Sequence, residues 1–227
     1  TLSGLWIRDG VAAEGNLESL VISHCTIAPG KANAVQVAAA NASIDVTIDR
    51  SITGAVDVAP AARLNICDSI VDYDSDAGAI QGNALAGIER STVFGPVHVR
   101  EISLISECIL THAITIDRRQ AGCVRFSSLP SASQSPRRYR CQPDLALETA
   151  PDLEKAAVET RMKPVFTSRA QGDAGYAQLS LAGPKEIATG GEDGGGSHVG
   201  PPASHSRTGG RRTQPCGCRR RRVPREE

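Results

Sequence analysis

Apolar positions recur in short bursts through the first half of the chain, and the bursts align with one another. The stretches "LVISHCTI" (20–27), "VTIDRSIT" (46–53), "LNICDSIV" (64–71), "AGIERSTV" (86–93) and "SLISECIL" (103–110) share one pattern. Each is an alternating apolar strand, a short polar step, a Cys or Ser, then another apolar residue. The small anchor falls at Cys25, Ser51, Ser69, Ser91 and Cys108, at intervals of 26, 18, 22 and 17 residues. A second motif follows most anchors: "AVQV" (34–37), "AVDV" (55–58), "GAI" (78–80), "PVHV" (96–99) and "AITI" (113–116). Apolar residues two apart line one face of a half-buried strand. Glycine sits between the strands at Gly54 and Gly95, where a sharp corner needs positive φ or no side chain.

Two or three short strands per interval of about 20 residues, with corners between, predict a parallel β-helix, a solenoid whose turns bury their inner faces by stacking. The usual handedness of parallel crossovers predicts a right-handed one. A β-sandwich is the rival, but it gives no reason for one small residue to return at the same place in every unit. The Cys/Ser ladder reads either as a row of reactive thiols or as a tight inward corner, and the corner is the better reading. Five turns are expected between Leu17 and Arg119, with a partial turn from "TLSGLWIRDG" and a further one taking in "GCVRFSSLP" (122–130). Residues 1–130 are therefore expected to form the β-helix. Residues 131–190 then form a loop and a short helix, "PDLEKAAVETRM" (151–162), that caps or extends it, lying against its open end and covering strand edges. Residues 191–227, rich in Gly, Ser, Pro and Arg, have almost nothing to bury and are expected to be a disordered tail.

Composition refines this picture. Aromatic residues are only 3% of the chain, so the core must be built from Ala, Val, Ile and Leu, which suits strands. Formal net charge is zero, but residues 203–227 hold eight arginines against two glutamates, leaving 17 basic and 23 acidic residues elsewhere. The body is mildly acidic and the tail basic. Seven cysteines at irregular positions do not form a secreted disulfide framework, and a reducing, cytoplasmic setting is expected. No apolar run is long enough for a membrane-spanning helix, and no membrane insertion is expected. The chain begins Thr1-Leu2-Ser3 without Met or a visible signal peptide, inside a strand pattern, which suggests a missing natural N-terminus.

Candidate chemistry is sparse. "DYDSD" puts Asp72, Asp74 and Asp76 at alternate positions. On a strand they would share a face and could bind Ca²⁺ or cleave a sugar chain; in a turn they are solvated loop formers, the reading "DSDAG" favours. Polysaccharide-cleaving β-helix enzymes need aromatic platforms, and one Trp, three Tyr and three Phe supply few. His24, His98 and His112 sit near strands on different turns without ligand spacing. Cys123 and Cys141 are 18 residues apart, close to one turn, and read as stacked neighbours with free thiols as the default. Arg118, Arg119, Arg137, Arg138 and Arg140 form a basic group, read as a charged rim before an anion site. Neither a Ser/His/Asp arrangement, a phosphate loop nor a dinucleotide fingerprint is present, so no catalytic residue, metal or cofactor is expected. In the tail, Cys216 and Cys218 supply half of a zinc site, with only His198 and His205 nearby, and the arginines carry no specific nucleic-acid signal.

"STVFGPVHVRE", "GCVRFSSLP", "PRRYRCQPD" and "FTSRAQGDAGYAQLS…EIATGGEDG" resemble a group of uncharacterised bacterial right-handed parallel β-helix proteins over most of residues 1–193. The resemblance implies a structural or adhesive role, in phage-tail-like or surface-associated systems, and transfers no catalytic residues. It also implies a different ending, with an Asn-Leu and an Asp-Glu-Tyr-Leu helix. Arg221 to Arg225 and Gln214 to Cys218 can be encoded so that reading one base later restores both fragments. A frameshift after about Asp193 follows as the leading explanation of the tail, decided by the gene's nucleotide sequence. The expected role is a non-enzymatic structural or binding module whose partners are other proteins of a larger assembly. The alternatives are a polysaccharide-acting enzyme, lyase or hydrolase, with an acidic site near Asp72–Asp76, and a degraded pseudogene product.

Overall fold

The computed structural model describes residues 1–41, 43–58 and 61–191. The chain winds into stacked rungs, and each of the first six gives one strand to each of three faces. The first face contains Leu2–Ser3, Ser19–Ser23, Asp45–Asp49, Arg63–Cys67, the later parts of Ile80–Glu89 and Val97–Ser106, Val124–Arg125 and Arg138–Tyr139. The second contains Trp6–Ile7, Thr26–Ile27, Ile52–Thr53, Ile70–Asp72, Thr92–Phe94 and Ile109–Leu110. The third contains Val11–Ala13, Val35–Val37, Val56–Asp57, the starts of Ile80–Glu89 and Val97–Ser106, and Ile114–Ile116. These strands pair in parallel with the equivalent strand one rung away, which makes a β-solenoid and excludes a sandwich of antiparallel sheets. The opening stretch makes more than a partial turn: with Val11–Ala13 it completes a rung.

Register explains the repeat. On the first face Leu2, Ile22, Ile48, Ile66, Ile88, Ile105 and Val124 stand above one another. On the second face the inward column is Ile7, Ile27, Thr53, Val71, Val93 and Leu110. On the third it is Val11, Val35, Val56, Ile80, Val97 and Ile114. Most of these side chains are fully buried, and each buried aliphatic contributes about 1.5–3 kcal/mol. Thr53 is the polar exception: it is buried in this aliphatic column and its hydroxyl has no hydrogen-bond partner. Thr53→Val is expected to stabilise the protein by about 1 kcal/mol, because it removes an unsatisfied hydroxyl at constant shape. Urea unfolding of the pair measures it, and a loss of stability would contradict the register.

The corner between first and second faces is where the anchors lie. The residue before each anchor has positive φ: His24, Arg50, Asp68, Arg90 and Glu107, then Phe126 before Ser127 and Arg140 before Cys141. A left-handed residue turns the chain within one position and costs a non-glycine residue about 1–2 kcal/mol. The anchor offsets it. Ser51 Oγ accepts the Cys25 N–H at 3.0 Å and donates to the Asp49 carbonyl at 2.8 Å. Ser69 does the same for the Ser51 N–H at 3.1 Å and the Cys67 carbonyl at 2.6 Å, and Ser91 for the Ser69 N–H at 3.1 Å and the Glu89 carbonyl at 2.7 Å. Ser69→Ala leaves the buried Ser51 N–H without its acceptor, an expected loss of about 1–3 kcal/mol, whereas Ser69→Cys retains a weak acceptor and loses less. Denaturant titration of the two variants checks that order.

The second and third faces meet at glycine corners. Gly95 has φ +118° and its missing Cβ would lie 2.2 Å from the Tyr73 carbonyl oxygen. At Gly54 a Cβ would lie 2.4 Å from the Ala28 oxygen. Neither corner has room for a side chain.

The C-terminal segment does not lie across an open end. It includes Asp144–Glu148, a 3₁₀ turn at Asp152–Glu154, the helix Lys155–Arg161 and the short helix Lys185–Ala188, and it packs along the outside of the second face. The reason is an outward apolar column on that face, where Ile52, Ile70, Thr92 and Ile109 stack in register. Met162 and Ile187 cover Ile109, while Ala177, Phe166 and Tyr176 cover Ile70 and Phe94. A solenoid face with apolar residues on both sides needs such a strap. The tail from 192 to 227, with Cys216 and Cys218, lies outside the described residues.

Candidate functional site

The strap and the second face enclose the acidic cluster raised by the sequence. Asp72 ends the strand Ile70–Asp72, and its side chain is 9% exposed, whereas Asp74 and Asp76 follow in the loop and are exposed. The three carboxylates therefore do not share one strand face. Asp72 Oδ2 accepts the Tyr176 hydroxyl at 2.5 Å. Arg169 Nη2 reaches both acids, at 3.5 Å from Asp72 Oδ1 and 3.2 Å from Asp74 Oδ2. The Arg169 guanidinium lies 3.7 Å from the centre of the Phe94 ring, and Phe166 meets the same ring edge-on at 4.8 Å between centroids. On the outer side His112 Nε2 is 3.2 Å from Asp74 Oδ1, with its Nδ1 3.0 Å from Thr111 Oγ1.

The chemistry of this arrangement is that of a clasp. Burial, then the hydrogen bond to Asp72 and its negative charge, push the Tyr176 phenol well above its ordinary value, so it stays a hydrogen-bond donor at neutral pH. One guanidinium is shared by two carboxylates and stacked on an aromatic face. A glycosidase needs two carboxyl groups facing a gap that admits a glycosidic oxygen. Here the strap occupies that position on Asp72, and only the rim of Asp74, His112 and Arg169, each about 40% exposed, meets solvent.

Nothing local in the sequence marks Arg169 or Tyr176 as partners of the acids, which lie 95–104 residues earlier. No local pattern spans such a separation. One signal was present: three of only seven aromatics, Phe94, Phe166 and Tyr176, gather here.

The remaining candidates are dispersed. His24 is an exposed corner residue, and His98 is exposed and 3.1 Å from Asp117. Cys25, Cys67, Cys108, Cys123 and Cys141 are free thiols. Cys141 stacks beneath Ser127 rather than Cys123, because Ser128 bridges to Gln142 in register. Burial pushes the Cys108 thiol up to about 12, against the opposing effect of backbone hydrogen bonds with Ser91 and Ser106, and burial also raises Cys141. Neither is a nucleophile at neutral pH. The arginines do not form one patch. Arg138 is half-buried, pairs with Asp144 at 3.2 Å and donates to the Ser133 carbonyl, while Arg118 pairs with Glu101 and Arg119, Arg137 and Arg140 face solvent. Among the described residues no group of three or more His, Cys, Asp or Glu is placed to hold a metal ion, and no helix is long and apolar enough to cross a membrane.

No family model, curated protein or solved structure matches the chain.

Proposed function

We propose that this protein is a rigid, non-enzymatic structural or binding module, a β-solenoid that presents its faces to other proteins of a larger assembly, of the phage-tail-like or surface-associated kind. The observation that carries this reading is the occupation of Asp72. The most buried acid of the cluster is spent on Tyr176 and Arg169, both from the strap, and so holds the fold together instead of facing a substrate. Interleaved rungs with small inward anchors give a stiff rod, which suits a spacer or a binding platform.

A polysaccharide-acting enzyme is the second reading, favoured by the half-exposed Asp74, His112 and Arg169 rim. Asp72→Asn separates the two. As a clasp residue it is expected to lose about 1–2 kcal/mol of stability. Neutral and uronic-acid polysaccharides incubated with the wild-type protein are expected to yield no new reducing ends and no unsaturated products. Turnover that Asp72→Asn or Asp74→Asn abolishes in a folded protein would overturn the structural reading.

A further inference from the structure

The outward column of the second face changes character beneath the strap. Ile52, Ile70, Thr92 and Ile109 are followed in register by Ser128 and Gln142. These two polar residues line a cavity of about 390 Å³. Its strap side is formed by Leu145 of Asp144–Glu148 and by Glu186 and Ile187 of Lys185–Ala188. Cavities that take small molecules run from about 300 to about 1,000 Å³, so this one suits a ligand the size of one sugar unit.

The fold leaves polar groups of this wall unsatisfied. Ser128 is 4% exposed, and among the described residues nothing bonds its hydroxyl. Gln142 Oε1 is buried with no hydrogen-bond partner. Groups buried in this way cost stability unless something outside the fold satisfies them. Ser127 beside them is spent, because its hydroxyl accepts the Cys108 N–H at 3.1 Å and donates to the Arg125 carbonyl at 2.8 Å. The two charged residues described on the wall differ in the same way. Glu186 is paired with Arg161 at 2.8 Å, whereas Arg140, at an exposed corner, has no carboxylate partner among the described residues. The half-buried Phe126, the corner residue one rung from Arg140, adds an aromatic surface.

An unpaired cation calls for an anion, and unsatisfied hydroxyl and amide groups call for hydroxyls. An ammonium group is not called for, since the carboxylate of the wall is already neutralised by Arg161. We propose that this cavity binds a sugar acid. Arg140 holds its carboxylate, Ser128 and the Gln142 amide bond its hydroxyls, and its C–H surface lies against Phe126 and Leu145. Such binding involves no reaction, and it is independent of the Asp72 clasp and of the assembly role proposed above.

The test is an NMR titration of the full 227-residue protein, labelled with ¹⁵N, at neutral pH and low salt. The probes are gluconate, an open-chain sugar acid, glucuronate, a ring, and glucose, which lacks the carboxylate. At least one acid is expected to bind with a Kd of about 1 mM or tighter, and glucose at least about tenfold more weakly. The shifts should centre on Ser128 and the Gln142 side-chain amide, and the tighter acid shows whether the ligand is open-chain or a ring. Arg140→Gln should weaken binding about tenfold and Ser128→Ala about fivefold. Arg140 is exposed and the Ser128 hydroxyl holds nothing in the protein, so both variants should keep the wild-type melting temperature. No binding of either acid up to about 10 mM overturns the proposal. Glucose binding as tight as the acids, shifts centred elsewhere, or acid binding that either folded variant retains in full overturns it as well.

Discussion

Phe94→Ala is expected to lower stability by about 3–5 kcal/mol and to free the strap from the solenoid. Phe94 is fully buried although it lies on the outer side of the second face, because Phe166, Tyr176, Ala177 and Arg169 of the C-terminal segment pack over it. Arg169 stacks on one face of its ring and Phe166 meets its edge. Truncation removes the ring that both of them use and leaves a cavity between the two layers. The apparent melting temperature should fall by about 10 °C. Limited proteolysis should cut within 144–188 well before the rungs, whose inner columns the substitution leaves intact. Phe94→Leu keeps most of the volume and should lose far less. If Phe94→Ala unfolds within about 1 kcal/mol of wild type, the strap is not seated on this face.

Gly95→Ala is expected to cost about 3 kcal/mol or more, from one added methyl group. At φ +118° the backbone lies outside even the left-handed region that other residues adopt. The added Cβ would also meet the Tyr73 carbonyl at 2.2 Å and the Ala79 Cβ at 2.9 Å, so rung spacing would have to open locally. Gly4→Ala is the control: its φ of +68° suits a left-handed residue and nothing lies within 4 Å of the added atom. That substitution should cost about 1 kcal/mol. Equal losses at the two positions, measured by guanidinium unfolding, would show that the corner is looser than its geometry indicates.

The two glycines illustrate how legibility depended on periodicity. Gly54 and Gly95 stand out in the sequence because they fall between strands at the same phase of the repeat, and the backbone there has no space for Cβ. The left-handed residues before each anchor were invisible for the opposite reason. His24, Arg50, Asp68, Arg90, Glu107 and Phe126 have no chemistry in common, and only their position in the rung imposes their φ. Arg90 and Asp68 nevertheless meet across adjacent rungs, with Arg90 Nε 2.7 Å from Asp68 Oδ1, because stacking brings corner residues 22 positions apart into contact.

The acidic cluster was legible by composition alone. "DYDSD" marks three carboxylates but not which one is buried, since the strand ends at Asp72 and the chain turns away after it. Whether those acids faced a substrate or a strap depended on residues near the other end of the described chain.

The sequence by itself determined the repeating architecture. Apolar alternation set which side chains face inward, and the recurring Cys or Ser set where each rung turns, because both are local and repeat every rung. Only the tertiary structure decided the placement of the C-terminal segment. A short stretch with a few apolar residues fits an end or a flank equally well by pattern, and the choice fell to the outward column of Ile52, Ile70 and Ile109 with Phe94, which would otherwise be left in water. That placement made Asp72 the partner of Tyr176 and Arg169.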